Sequence, residues 1–209
     1  MEDIYKIVIV CSVIVGLYYL YEKYNNNKIL FYGIDKLKEG NKEFVNNFGI
    51  KNNKGYIETQ KPHTTILCCS DSRVPVERIF NLPKGEIFVV REAGHVPCDI
   101  SIASIEYSIA VLGVQNLVVL GHTECGAVKA TMSNKDLGSP ALNKLAESIR
   151  NDLREGDNLD DAILHHSQSV LNNVINNSQI IKDAVQSGNV KIAYAIYDIQ
   201  TGIVQFYEK

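Results

Sequence analysis

Cys69 is followed two residues later by a carboxylate, Asp71, and four residues later by a guanidinium, Arg73, within T-T-I-L-C-C-S-D-S-R-V-P at residues 64–75. A thiolate and a carboxylate are both candidate metal ligands, and a guanidinium is a natural clamp for a carboxylate. A second set lies in N-L-V-V-L-G-H-T-E-C-G-A at residues 116–127, where His122 and Cys125 stand three residues apart. That spacing lets two ligands on the first turn of a helix, or in a tight loop, grip one ion. Cys69, His122 and Cys125 together make a Cys2His set for zinc with one coordination position left over. Three protein ligands and an open position mark a catalytic zinc site, whereas a closed set of four marks a structural one.

Both sets need elements that bring them together. Each follows a short apolar run, Thr64, Thr65, Ile66 and Leu67 in one case and Leu117 to Leu120 in the other, and each run gives way abruptly to polar residues. Such a change reads as the carboxyl end of a buried strand, where open α/β sheets place their ligands. If one metal draws on both ends, the two strands are neighbours and a topological switch point lies between them.

The rest of the chain supplies the scaffold. Apolar residues at helical spacing predict an amphipathic helix over 34–48, followed by a polar loop over 49–61. Further helices are expected over 75–80, 100–114, 126–132, 140–153, 159–174 and 179–186, the last stopping at Gly188. Strands are expected over 86–91 and 190–197, and Thr201-Gly202 turns the latter into a return strand over 203–207. The fold class is therefore α/β, a mainly parallel central sheet with an antiparallel edge strand, flanked by helices.

At C-S-D-S-R-V-P (69–75) and G-H-T-E-C-G-A (121–127) the chain resembles the β-class carbonic anhydrases. The resemblance extends through L-K-E-G-N-K-E-F (37–44), I-E-Y-S-I-A-V-L-G-V (105–114) and A-I-Y-D-I-Q-T-G (195–202), and so spans residues 34–207. It implies one Zn2+ per chain held by Cys69, His122 and Cys125, with Asp71 and Arg73 as the catalytic dyad beside it. The implied reaction is reversible hydration of carbon dioxide to bicarbonate and a proton. Asp71 either orients the attacking water-derived nucleophile or swings onto the metal as a fourth ligand in a closed state. The resemblance also implies a homodimer or higher homo-oligomer, with the helix over 34–48 embracing a neighbouring subunit.

Composition sets bounds on these readings. A chain of 209 residues suits one domain with a substantial core, here a zinc-dependent catalytic domain over 34–209. A formal net charge of -3 with no basic cluster makes nucleic acid a poor partner. The five cysteines are odd in number and irregularly spaced, which fits a reducing compartment or metal protection rather than a disulfide framework. Residues 1–24 differ from the remainder: 4–21 are broken only by Lys6 and would span about 27 Å as a helix. A membrane anchor is the reading preferred for them, with Tyr18, Tyr19, Tyr21 and Tyr24 as an interfacial belt and residues 25–33 as a linker. Lys23 and Lys28 place the catalytic domain on the cytoplasmic side. The alternatives are a cleaved signal peptide or a helix packing on protein, the latter leaving a soluble cytoplasmic enzyme.

Blander readings stand beside the sharp ones. Cys68 points to the opposite strand face from Cys69 and reads as a buried small hydrophobe. His63, His165 and His166 read as surface or helix residues, and Cys98 has no evident partner. Where the family shows R-N-A-G-N, this chain has Arg91, Glu92, Ala93, Gly94 and His95, which raises His95 as a candidate proton shuttle. With no tryptophan, the family's tryptophan-lined non-catalytic bicarbonate pocket is not expected. Two other functions fit the same ligands: hydrolysis of carbon disulfide or carbonyl sulfide, and a non-catalytic zinc-stabilised binding module.

Overall fold

The computed structural model describes residues 33–48 and 59–208. The chain divides into two units, Met1–Glu58 and Thr59–Lys209. Within the first, helix α1 (Ile34–Phe48) forms where helical spacing predicts it, with Ile34, Leu37 and Val45 exposed. The expected anchor and linker lie outside the described residues. Among the described residues, no helix is long and apolar enough to cross a membrane.

The second unit is built on five strands: β1 (Thr64–Cys69), β2 (Ile87–Glu92), β3 (Asn116–His122), β4 (Lys191–Tyr197) and β5 (Val204–Glu208). Their order is β2-β1-β3-β4-β5. The first three pairings are parallel and β4 with β5 is antiparallel, as the sequence predicts. Strands β1 and β3 are direct neighbours, with Cys68 opposite Leu120. The chain leaves β1 towards β2 on one side and reaches β3 on the other, so the switch point falls between the two ligand-bearing strand ends.

Six further helices complete the unit apart from one 3-10 turn. They are α2 (Val76–Ile79), α3 (Asp99–Ala110), α4 (Gly126–Met132), α5 (Pro140–Arg150), α6 (Leu159–Asn176) and α7 (Gln179–Gln186). The two-residue alternation of β1 splits the core. Leu67 packs with Leu117, Val119 and Tyr194 against Ile105 of α3, Val170, Leu171 and Val174 of α6, and Ile181 of α7. Ile66 and Cys68 point the other way and pack with Val118, Leu120 and Ala195 against Val74 and Val76. Complete burial of a side chain such as Leu67 contributes about 1.5–3 kcal/mol, which fixes the register and hence the face on which Cys69 emerges.

Boundaries depart from the sequence reading in ways that turn chemistry explains. Strand β2 begins and ends one residue later than expected. Helix α3 stops at Ala110 rather than 114, because the N–H groups of Val111 and Leu112 both close on Tyr107 O and Gly113 turns left-handed at φ 72°. Helix α5 stops at Arg150 rather than 153, giving way to turns that include Gly156 at φ 87°. Helix α6 runs two residues past the expected 174.

Candidate metal centre

Cys69 closes β1, and its thiol lies in a buried cluster with Cys125, Val128, Ile149, Ala162 and Ile163. His122 closes β3, and Cys125 precedes the first turn of α4. One ligand atom from each of Cys69, His122 and Cys125 lies within 4.8 Å of the others. The sequence-predicted triad is thus brought together by two adjacent strand ends. Cys68, on the far face, is left out, and burial pushes its thiol up to about 12.

The histidine is oriented for the cluster. Nδ1 lies 2.9 Å from Thr123 O, an acceptor, so Nδ1 carries the hydrogen and Nε2 presents its lone pair. That Nε2 is buried and without a hydrogen-bond partner among the described residues. A buried polar atom left in this state is costly, and a cation beside it removes the cost. The sulfurs point to the same conclusion. The Cys125 thiol pulls the Cys69 thiol down, aided by His122 and by the peptide N–H groups of Asp71 and Gly94, against the opposing effect of burial. Cys125 is pushed up by the Cys69 sulfur and by burial. Thiols bind a dication as thiolates, giving up their protons. The donor set therefore fits zinc.

Beside the cluster, Asp71 is clamped by Arg73. Nε donates to Oδ1 at 2.9 Å, Nη2 donates to Oδ2 at 2.7 Å, and the Arg73 peptide N–H adds a bond to Oδ1 at 2.9 Å. The Arg73 guanidinium holds the Asp71 carboxyl well below the usual carboxylate range. Asp71 Oδ2 stands 3.9 Å from His122 Nε2, and Arg73 Nη2 also reaches Glu124 O at 3.1 Å, tying the two signature loops together. A second arginine, Arg91, fixes the loop backbone by donating to Cys69 O at 3.0 Å and Asp71 O at 2.7 Å.

The carbonic anhydrase family profile matches residues 64–204. The chain belongs to the β-class carbonic anhydrases. It is 33% identical over 183 residues to carbonic anhydrase 2 of Mycobacterium tuberculosis, covering 79% of this chain and 87% of that one. It is 32% identical over 166 residues to a carbonic anhydrase of Pseudomonas aeruginosa, covering 71% and 74%. Among solved structures, a β-carbonic anhydrase of Aspergillus fumigatus superposes with a TM-score of 0.71 at 26% identity, over 83% of this chain and 90% of that one. A tetrameric β-carbonic anhydrase of Sordaria macrospora gives 0.65 at 25%, over 82% and 92%.

Two sequence readings change at this β-carbonic anhydrase centre. His95 is not placed to shuttle protons: it is 0% exposed, its Nε2 faces Ser167 Oγ at 3.2 Å, and burial holds it well below the usual imidazole range. His166 lies on a helix as expected but is fully buried rather than at the surface. Glu92 is engaged, accepting the Ser101 hydroxyl at 2.6 Å. His63 and His165 stay peripheral, the latter paired with Asp157. A cavity of about 930 Å³ lined by residues including Thr64, Asn116 and Lys191 opens at the amino ends of the strands, opposite the metal centre.

Proposed function

We propose that the chain catalyses the reversible hydration of carbon dioxide to bicarbonate and a proton, with one Zn2+ per chain held by Cys69, His122 and Cys125. The reading is carried by one observation: the buried, unpartnered Nε2 of His122 among ligand atoms within 4.8 Å of one another, with an arginine-clamped carboxylate at 3.9 Å. Zinc bound by three protein ligands supplies a Lewis acid that activates water near neutral pH.

The other roles fall to the chain's own side chains. Asp71, kept ionised by Arg73, accepts a hydrogen bond from the attacking water and directs its lone pair at the carbon. Arg73 holds the carboxylate in place, and the Nδ1–H bond to Thr123 O fixes the His122 ring. Because Arg73 engages both carboxylate oxygens, the arrangement with Asp71 off the metal is favoured over the closed one. Stopped-flow carbon dioxide hydration across pH, with zinc assayed on the same sample, tests the proposal. Fast turnover with about one zinc per chain is expected for a three-ligand site. Full zinc with no hydration at any pH would overturn it in favour of a carbon disulfide or carbonyl sulfide hydrolase or a binding module, neither of which any observation favours.

We also infer a homodimer or higher homo-oligomer, supported by the tetrameric description of the Sordaria relative and by the exposed apolar residues of α1. Light scattering on the purified chain tests this. Membrane association through residues 4–21, with the catalytic domain on the cytoplasmic side, rests on their apolar sequence alone. Recovery of the full chain in the soluble fraction would reject the anchor.

A further inference from the structure

At the end of β2 two consecutive residues are left-handed, Gly94 at φ 58° and His95 at φ 45°. Glycine takes this conformation freely, whereas histidine adopts it at a steric cost, so surrounding contacts must hold the turn. The turn borders the ligand cluster, because Ile149 and Ala127 beside it pack in the same buried group as Cys69 and Cys125. A Cβ on Gly94 would come within 2.9 Å of Ile149 Cδ1 and 3.0 Å of Ala127 Cβ, so the segment has little room to shift.

Two adjacent residues of α6 grip the turn from behind. His166 Nε2 lies 2.7 Å from Gly94 O, and Ser167 Oγ lies 3.2 Å from His95 Nε2. A carbonyl oxygen only accepts, so His166 donates through Nε2. On its other side, His166 Nδ1 lies 2.7 Å from Asp152 Oδ2, and the Ser169 hydroxyl donates to Asp152 Oδ1. The histidine side chain is 1% exposed and its ring centroid is 4.5 Å from that of His95. An apolar residue would fill this space without fixing the carbonyl. A chain of Ser169, Asp152, His166 and Gly94 O, buried at the histidine, fixes it in one direction.

We propose that His166, oriented by Asp152, is a positioning residue for the metal centre, locking the Gly94–His95 turn against Ile149 and Ala127 so that the buried group holding Cys69 and Cys125 keeps its shape. The proposal rests on the reading of Cys69, His122 and Cys125 as metal ligands. Direct hydrogen-bond partners of metal ligands typically change metal affinity by about 10–100-fold; His166 acts one step further out, through the turn, so the lower end, about 10-fold, is expected here.

The test is cobalt(II) titration of the full chain, read by competition with a chromogenic chelator and by the thiolate-to-cobalt charge-transfer band. Wild type should bind with that band; its absence would reject the metal-ligand reading itself. In His166→Ala, affinity should fall about 10-fold with a shifted band, while His166→Gln, which keeps an N–H donor, should recover part of both. Wild-type affinity and an unshifted band in His166→Ala would overturn the positioning role. Should that variant not fold, Ser169→Ala, which removes only the hydroxyl that anchors Asp152, is read instead. Weaker cobalt binding with a shifted band supports the role, and wild-type values overturn it.

Discussion

Arg73 grips Asp71 through both carboxylate oxygens, at 2.9 Å and 2.7 Å, and with the same Nη2 reaches the Glu124 carbonyl across the site at 3.1 Å. One side chain therefore sets the direction of the carboxylate and ties it to the second loop. Asp71→Asn keeps the shape but loses the charge that accepts a proton. Carbon dioxide hydration should fall by about 10²–10⁴-fold with zinc content unchanged, as read by stopped flow and metal analysis. Full turnover in this variant would remove Asp71 from the mechanism.

Metal removal should destabilise the fold through linkage. A ligand present at about 100 times its Kd stabilises the native state by about 2.7 kcal/mol. A strong chelator should lower Tm in wild type and restored zinc should raise it again. In His122→Ala, one of the three ligands is gone, so the chelator should leave Tm nearly unmoved. A wild-type-sized shift there would mean that the metal sits elsewhere.

Asp157 gives a pH prediction far from the metal. His165, whose Nδ1 lies 2.9 Å away, and the Arg154 N–H hold its carboxyl below the ordinary 3.8. A depressed folded-state value means that the native state binds fewer protons. The stabilisation is therefore present above pH 3.8 and disappears as pH falls through the folded value. The Tm gap between wild type and Asp157→Asn should be open near pH 6 and close as pH falls below the folded value. A gap of constant size would contradict the assignment.

Gly121 precedes His122, one of the proposed ligands, and a Cβ there would collide with Ser167 Oγ and stand 3.0 Å from Ile196 Cδ1. Gly121→Ala should cost about 1–3 kcal/mol in a urea melt, as overpacking does. The double variant with Ser167→Ala should lose less than the sum of the two single changes. Strict additivity would show that α6 yields at this point.

Much of this centre was legible in the sequence because its chemistry is local. Cys69, Asp71 and Arg73 sit within one loop, and His122 and Cys125 within another. The apolar runs ahead of them announce strands whose pairing follows from a shared ligand. The buried position of His95 was not legible, since it depends on α6 lying behind the turn. The partnership of His166 with Asp152 and Gly94 joins residues 14 and 72 positions apart, and no local pattern marks it. Helix ends at Ala110 and Arg150 were missed because apolar spacing continues into turns that left-handed glycines end.

The register that sets Cys68 opposite Leu120 is maintained by backbone pairing over residues 64–68 and 116–120 and by side chains that do not touch the metal ligands. The distance between the two ligand loops is thus a property of the polypeptide, present before any ion arrives. Order of assembly follows: the chain can complete its sheet while metal is scarce and be loaded later, the ion then adding its own stabilisation to a sheet already in register.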